Sequence, residues 1–195
     1  MNCSGKNIGN WCHDLPTHYI DPEGKKYCLF HTPKGFKKVS SGNEFNVSVY
    51  EKIANDLKEK RYCNLSGTIF DWEINFKYIQ IKELIGDIDF SHTNFYGEVN
   101  MRRKVFTGHV DFSGVQFHNS SDFDSSNFVG PCSFKKAVFK EQPCFFDTVF
   151  NEAADFSGAN FQKGGFFTWG ALKKGGDFSN AIYGANLVFK RLNPE

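Results

Sequence analysis

A large apolar residue recurs at alternating steps of five and six residues through the second half of the chain. Nineteen positions follow this period, and sixteen of them are Phe. They are Phe90, Phe95, Met101, Phe106, Phe112, Phe117, Phe123, Phe128, Phe134, Phe139, Phe145, Phe150, Phe156, Phe161, Phe167, Leu172, Phe178, Tyr183 and Phe189. A fixed short period over about a hundred residues predicts one small unit stacked on itself, so the repeat decides the fold before local propensity does.

The neighbours of each large residue, or centre, predict short extended segments with one inward face. Two residues before a centre the side chain is usually small, as at Ala154 and Ala159. Residues two apart in an extended segment point the same way, so a small and a large residue both face inward. Asp or Asn often directly precedes the centre, as at Asp155 and Asn160, where an outward direction is expected.

Every second step contains a sixth residue, which we interpret as a corner. Pro131, Gly164 and Gly175 stand at this position, and a corner needs unusual dihedral angles or a preset φ. Four sides with two such insertions give a coil of twenty-two residues, so nineteen sides make nearly five coils. At the spacing of paired strands the coils would stack to a length of about 23 Å, with the centres sorted into four columns.

The repeats resemble those of the pentapeptide-repeat proteins. The shared motif is a small residue, a polar residue, Phe and two variable residues, as in segments 154–158 (Ala-Asp-Phe-Ser-Gly) and 159–163 (Ala-Asn-Phe-Gln-Lys). The extra residue between pairs of units is similar to the Phe-centred branch of the family. The resemblance implies an all-β solenoid, a right-handed quadrilateral β-helix over residues 64–189. An ordinary β-sandwich is the alternative, but sandwich strands do not recur at fixed spacing.

The segment before the repeats predicts a cap for the solenoid. Residues 46–61 have the pattern of an amphipathic helix, because Val49, Ile53 and Leu57 recur every fourth residue among charged ones. An open coil end exposes unpaired strand edges, which repeat proteins cover. We therefore predict a capping α-helix within residues 46–63.

The two ends of the solenoid differ. An irregular first coil is predicted from Asn64 through Phe70 and Phe76, with a slip in register between residues 81 and 88. At the other end only the short tail 190–195 follows the repeats, too little for a second capping helix. Cover by a second copy is the alternative, and the family resemblance implies a homodimer through the C-terminal end.

The six cysteines fall into two groups. Cys63 and Cys132 stand two residues before a centre, where a small inward residue is expected, and Cys144 stands in an outward position. These three are predicted to be structural or incidental. The other three precede the repeats.

The N-terminal module, residues 1–45, contains a candidate zinc site. Cys28 and His31 form a Cys-x-x-His pair that can place both ligands on one turn. Cys3 and Cys12 can complete a tetrahedral set. Such a closed site would staple the fold and would not be catalytic, because no position is left for water or substrate.

Alternatives to this ligand set remain open. His13 directly follows a proposed ligand and His18 lies nearby, so either can replace one. Free thiols, or a disulfide in an oxidising compartment, are the alternatives to a metal. Some Phe-centred pentapeptide-repeat proteins are similar here too, with a short cysteine module that ends in Tyr-Cys-x-x-His-x-Pro, as residues 27–33 do.

Composition predicts one soluble body with an appended module. The formal net charge is +1, and no run approaches the roughly eighteen apolar residues that a membrane span needs. The first residues lack an apolar signal core. We expect a cytoplasmic protein.

The repeat predicts a noncatalytic protein-binding scaffold whose partner is unknown. The alternative, implied by the resemblance, is modulation of DNA gyrase or another type II topoisomerase by DNA mimicry. Mimicry needs a strongly acidic surface, but residues 112–195 contain eight acidic and eight basic side chains. The basic runs at 34–38 and 102–104 are typical of solvated surface rather than of nucleic-acid binding. The sequence contains no isolated acid–base pair, so it does not predict an enzyme.

One departure from the repeat predicts a protein-contact surface. On the side built from Phe145 and Phe167, outward positions change from Asp to apolar residues near the C-terminal end. This apolar row, called the ridge below, comprises Phe146, Phe166, Trp169 and Val188. Exposed apolar rows usually mark a partner surface. Alternatively, the rings fold over the corners or the inward register slips there by one residue.

Overall fold

The fold is seen in a computed structural model that describes residues 3–4, 10–12, 15–79, 83–168, 172–185 and 187–190. Within them the chain forms a β-solenoid of about five turns, preceded by one α-helix and a Cys/His cluster. The N-terminal module contains a 3-10 turn at Asn10–Cys12 and an antiparallel pair, β1 (Tyr19–Ile20) with β2 (Lys26–Tyr27). Helix α1 (Gly42–Lys58) follows.

The solenoid consists of short parallel strands, most of them two residues long. They are β3 (Cys63–Asn64), β4 (Ile69–Phe70), β5 (Ile74–Asn75), β6 (Glu83–Leu84), β7 (Ile88–Asp89), β8 (Asn94–Phe95), β9 (Val99–Asn100), β10 (Val105–Phe106), β11 (Val110–Asp111), β12 (Gln116–Phe117), β13 (Ser121–Asp122), β14 (Asn127–Phe128), β15 (Cys132–Ser133), β16 (Val138–Phe139), β17 (Cys144–Phe145), β18 (Val149–Phe150), β19 (Ala154–Asp155), β20 (Asn160–Phe161), β21 (Gly165–Thr168), β22 (Gly176–Asp177), β23 (Ile182–Tyr183) and β24 (Leu187–Lys190).

The strands form four parallel sheets, to which successive coils contribute in turn. The sheet orders are β3-β7-β11-β15-β19-β22, β4-β8-β12-β16-β20-β23, β5-β9-β13-β17-β21-β24 and β6-β10-β14-β18. A bridge from Phe150 to Leu172 extends the fourth sheet. Paired residues beyond the first coil are twenty-two positions apart, as Phe117 and Phe139 are. The stacked coils of the predicted length are thus confirmed, while the right-handed sense and quadrilateral cross-section stay predictions.

The first coil is irregular, as predicted. Its first three strands pair with residues twenty-five positions ahead, as Cys63 does with Ile88. Glu83, in contrast, pairs with Val105, twenty-two positions ahead. Three additional residues therefore lie between β5 and β6, where a 3-10 turn forms at Phe76–Tyr78. The slip begins earlier than the predicted 81–88 segment because this turn leaves the strand path directly after β5.

The large residues form stacks in the interior. Phe134 is fully buried, and its ring lies 4.8 Å from that of Phe112 and 5.1 Å from that of Phe156, within 9° of parallel in both cases. This spacing follows the distance of about 4.8 Å between paired strands. Rings of neighbouring stacks meet edge-on, as Phe123 and Phe134 do at 83°, a geometry that aromatic pairs prefer.

Residues in the left-handed conformation, with positive φ, mostly lie at other positions than the predicted sixth residues. Among the described sixth residues, only Gly164 and Gly175 have positive φ. Most other left-handed residues lie two positions after a centre, on sides without the extra residue, as His92 and Lys136 do. There a β-turn closes the corner: the N–H of Ala137 donates to the Phe134 carbonyl at 3.0 Å. Positive φ at the third residue is a feature of type II β-turns.

Helix α1 begins four residues before the predicted 46–63 segment and also ends earlier. Its N-cap is Ser41, whose side chain accepts a hydrogen bond from the Glu44 N–H at 3.4 Å. The Glu44 carboxylate accepts in turn from the Ser40 N–H at 2.7 Å. These bonds satisfy N–H groups that have no partner within the helix, so they fix the start of α1.

The apolar face of α1 packs on the first coil. Phe45, Val49 and Ile53 are fully buried, and the Phe45 ring meets Phe70 at 5.5 Å and 73°. The C-terminal end of the described chain differs, because Tyr183 is 46% exposed and Phe189 is 40% exposed. Within the described residues, α1 thus covers the first coil and the last coil lies open.

Candidate metal centre

Four metal-ligating side chains converge beside the first coil. They are Cys3, Cys12, Cys28 and His31, and their donor atoms all lie within 4.8 Å of one another. Each residue is at most 6% exposed. The proposed ligands, scattered over twenty-nine positions of the sequence, are therefore brought together as predicted.

The spacing of the donor atoms fits a tetrahedral ion. Nδ1 of His31 lies 3.2 Å from the Sγ atoms of both Cys12 and Cys28, and 3.6 Å from that of Cys3. Zinc bond lengths place nitrogen and sulfur ligands about 3.5 Å apart on the edge of a tetrahedron. The three thiols and the imidazole thus form a closed set of four ligands that a metal ion can occupy.

A backbone carbonyl of the solenoid orients His31. Nε2 of His31 lies 3.1 Å from the carbonyl oxygen of Ser66, and because a carbonyl only accepts, the hydrogen must be on Nε2. Nδ1 then carries the free electron pair that a metal needs. Nε1 of Trp11 donates to the same carbonyl at 3.1 Å. Sequence reasoning missed both supporting residues: nothing in the sequence distinguishes Ser66 within the irregular first coil, and only the position of Trp11 beside Cys12 pointed to it.

The local backbone explains the close approach of the ligands. The His31 N–H donates to the Cys28 carbonyl at 3.2 Å, and the hydroxyl of Thr32 donates to the same oxygen at 2.8 Å. This turn brings the Cys-x-x-His side chains to one side. The Cys28 N–H donates to Sγ of Cys3 at 3.3 Å, which brings these two residues together.

Burial makes the thiols of the cluster costly to ionise. Burial, together with charge repulsion from the neighbouring Cys3, raises the pKa of the Cys12 thiol to about 11. The pKa of Cys28 is also raised, chiefly by its hydrogen bond with Cys3 and then by burial. A bound cation would offset both causes, because metal ligation requires and stabilises the thiolates.

Of the two alternative ligands, His18 lies in the described part of the chain and does not join the cluster. Nε2 of His18 accepts a hydrogen bond from the Lys38 N–H at 2.9 Å instead, and His13 lies outside the described residues. All six cysteines are free thiols. Cys63 and Cys132 are buried in the ladder, as predicted, and burial raises the pKa of each thiol.

Two of the ridge residues, Phe166 and Val188, lie in one sheet near the C-terminal end. Cys144 pairs with Phe166, and Phe166 pairs with Val188 in the next coil. The rings of Phe146 and Phe166 are 6.2 Å apart; both side chains are half-buried, and Val188 is 41% exposed. Phe145 and Phe167 are the fully buried centres, so the inward register does not slip here. Trp169 lies outside the described residues.

Several cations of the two basic runs are engaged within the protein. Nζ of Lys37 donates to the Thr32 carbonyl at 2.9 Å, and Nζ of Lys104 donates to the Ile79 carbonyl at 2.8 Å. Arg102 pairs with Asp124. These contacts neutralise or bury part of the charge that a nucleic-acid phosphate would need.

None of the helices in the described part of the chain has the length and apolar character needed to cross a bilayer. Comparison of the chain with protein-family models, with curated proteins and with solved structures finds no match.

Proposed function

We propose that this protein is a noncatalytic protein-binding scaffold of the pentapeptide-repeat type. A solenoid with an interlocked aromatic core supplies a rigid surface whose outward side chains vary freely from coil to coil. The outward histidines at 92, 109 and 118 stand apart along the repeat, an arrangement that supports binding rather than acid–base chemistry.

The observation that carries this proposal is the change of chemistry along one outward column. The column runs through Asn100, Asp122, Cys144, Phe166 and Val188, which pair in successive coils. Its first members are polar or charged and its last members are apolar. An apolar row beside a charged one supports a partner with a complementary apolar patch and a polar rim.

The open last coil supports a second copy as one such partner. Ile182 and Tyr183 are 61% and 46% exposed. Val188 and Phe189, at the same end, are 41% and 40% exposed. The strands β22, β23 and β24 are the final members of their sheets in the described chain. Pairing between two copies would cover these edges and the apolar cross-section, as solenoid ends require.

The test replaces the ridge and measures association. Phe166→Ser with Trp169→Ser should abolish partner capture from the source cell's lysate, while thermal unfolding of the rod changes little. Ile85→Ser is the matched control, because Ile85 is 63% exposed outside the ridge and its loss should leave capture unchanged. Light scattering measures the molecular mass of the same proteins and so detects the homodimer. Unchanged capture and unchanged mass of the double variant would refute the ridge as the binding surface.

We also propose that the Cys/His cluster binds zinc as a structural ion in the reducing cytoplasm. Three thiolates and one imidazole are ligands that zinc prefers, and the closed set leaves no position for a substrate. Metal analysis of protein purified without added metal should find one zinc per chain. Cys28→Ser should lose the ion and Cys144→Ser should retain it. Equal zinc content in the two variants would place the ion elsewhere.

A further inference from the structure

A cavity of about 420 Å³ lies between α1 and the first coil. It is distinct from the metal centre and from the ridge. Its wall is built from two elements, and the principal residues are Asn46, Val47 and Tyr50 of α1 and Glu73, Asn75 and Tyr78 of the first coil. Tyr78 belongs to the 3-10 turn at Phe76–Tyr78, in the irregular first coil.

Asn46, a residue of the cavity wall, has a buried acceptor atom without a partner. The residue is 8% exposed, and its Nδ2 donates to the Glu73 carbonyl at 2.8 Å. Its Oδ1 is buried and has no hydrogen-bond partner. Buried polar atoms are nearly always paired, with protein, water or ligand. A ligand that enters here should therefore bring a hydrogen-bond donor.

The remaining polar groups favour the same kind of ligand. Glu73 is exposed and is the only charged side chain in the described lining. The Tyr50 hydroxyl is already used, because it donates to the Asn75 carbonyl at 2.8 Å and accepts from the Asn75 N–H at 3.1 Å. The negative charge of Glu73 and the unpaired acceptor of Asn46 thus favour a cationic donor over an anion.

Tyr78 adds an aromatic surface that attracts cations. The residue is 62% exposed, and Nζ of the neighbouring Lys77 lies 4.8 Å from the centre of its ring. That contact is within the range of cation–π attraction. An incoming cation would use the ring in the same way and would compete with Lys77.

We propose that this cavity binds a guanidinium or ammonium group. Such a group supplies N–H donors for Asn46, a positive charge for Glu73 and a cation for Tyr78. The group can belong to a small amine or to an arginine side chain of a peptide. Both sources offer the same chemistry to the same three residues.

The experiment titrates the full-length, metal-loaded protein with agmatine, a small guanidinium compound, and observes the Asn46 side-chain amide by NMR. We expect a saturable shift, and Glu73→Gln should weaken binding about three- to fivefold, within the range of an exposed ion pair. Glu51→Gln is the control. It also removes one negative charge, but from a residue of α1 that does not line this cavity. Tyr78→Leu should weaken binding, whereas Tyr78→Phe keeps the ring and should not.

A second arm distinguishes the two sources. An acetylated and amidated Gly-Arg-Gly peptide that binds more tightly than agmatine would support a peptide ligand, and the reverse order would support a free amine. Circular dichroism checks that Glu73→Gln remains folded. The proposal is overturned if neither probe gives a saturable shift, which means that water alone satisfies Asn46. Equal affinities of the Glu73→Gln and unaltered proteins would also overturn it.

Discussion

Phe134 illustrates how one side chain supports several layers of the repeat. Its ring stacks on Phe112 below and Phe156 above, and it meets Phe123 and Phe145 edge-on at 5.5 Å. The side chain is fully buried. Its contacts extend over three coils, so its loss should be felt well beyond its own five-residue unit.

We expect Phe134→Ala to lower the free energy of unfolding by about 3–5 kcal/mol, because it removes buried apolar area and leaves a cavity in a stack that strand spacing prevents from closing. Urea unfolding monitored by circular dichroism measures the change. Lys135→Ala, at the adjacent exposed position, should stay within about 0.5 kcal/mol of the unaltered protein. Equal losses in the two variants would contradict the stacked core.

At the scale of the element, a buried ion pair joins the N-terminal module, α1 and the first coil. Nζ of Lys37 lies 3.4 Å from Oδ1 of Asp71 and 5.0 Å from the centre of the Phe45 ring. The Lys37 side chain is fully buried. Burial lowers the pKa of Lys37 to about 8, although the Asp71 carboxylate acts in the opposite direction.

This pKa predicts a gain in stability at alkaline pH. Between about pH 8 and 10.5 the unfolded chain retains the proton on Lys37 while the folded chain has released it, so the free energy of unfolding should rise with pH. The contribution is about 1–3 kcal/mol. Below pH 8 both states are protonated and this contribution is absent.

Urea midpoints across this pH range test the effect in the metal-loaded protein. Lys37→Met should remove the contribution, whereas Lys38→Met, at an exposed neighbouring position, should retain it. Thiols that titrate in the same range are common to both variants, so the difference between their pH profiles isolates Lys37. Identical profiles would show that Lys37 remains charged in the folded protein.

For the whole molecule, the Cys/His cluster connects the N-terminal module to the solenoid. His31 and Trp11 both contact the Ser66 carbonyl of the first coil. The Phe30 carbonyl accepts a hydrogen bond from the Ile69 N–H of β4 at 2.9 Å. Metal binding should therefore stabilise the junction as well as the module itself.

Removal of the metal should loosen this junction before it affects the distant coils. After chelation, or in Cys28→Ser, the Ile69 amide should exchange with deuterium much faster, because the module no longer holds its acceptor in place. The Val138 amide, bonded to the Val115 carbonyl at 2.8 Å, serves as the internal control, and Cys144→Ser as the matched variant. Unchanged exchange at Ile69 would show that the module docks without metal.

The sequence determined the repeat, its coil length and the inward residues. A side-chain pattern that holds its period over nineteen units permits few folds, because only stacked coils bury every centre. It also identified the four cluster residues, since ligand chemistry limits the candidates to Cys and His near a turn. The start of α1 was missed because hydrophobic spacing identifies the buried face of a helix, whereas capping by Ser41 fixes where it begins.

Tertiary structure alone decided which distant groups meet. The support of His31 by Ser66, the burial of Lys37 against Asp71 and the cavity beside Asn46 each join segments about thirty positions apart or more. No local pattern specifies such contacts, because they depend on where the first coil departs from its period and on how α1 and the module pack there. The repeat therefore specifies the solenoid, and packing at its irregular end creates the sites.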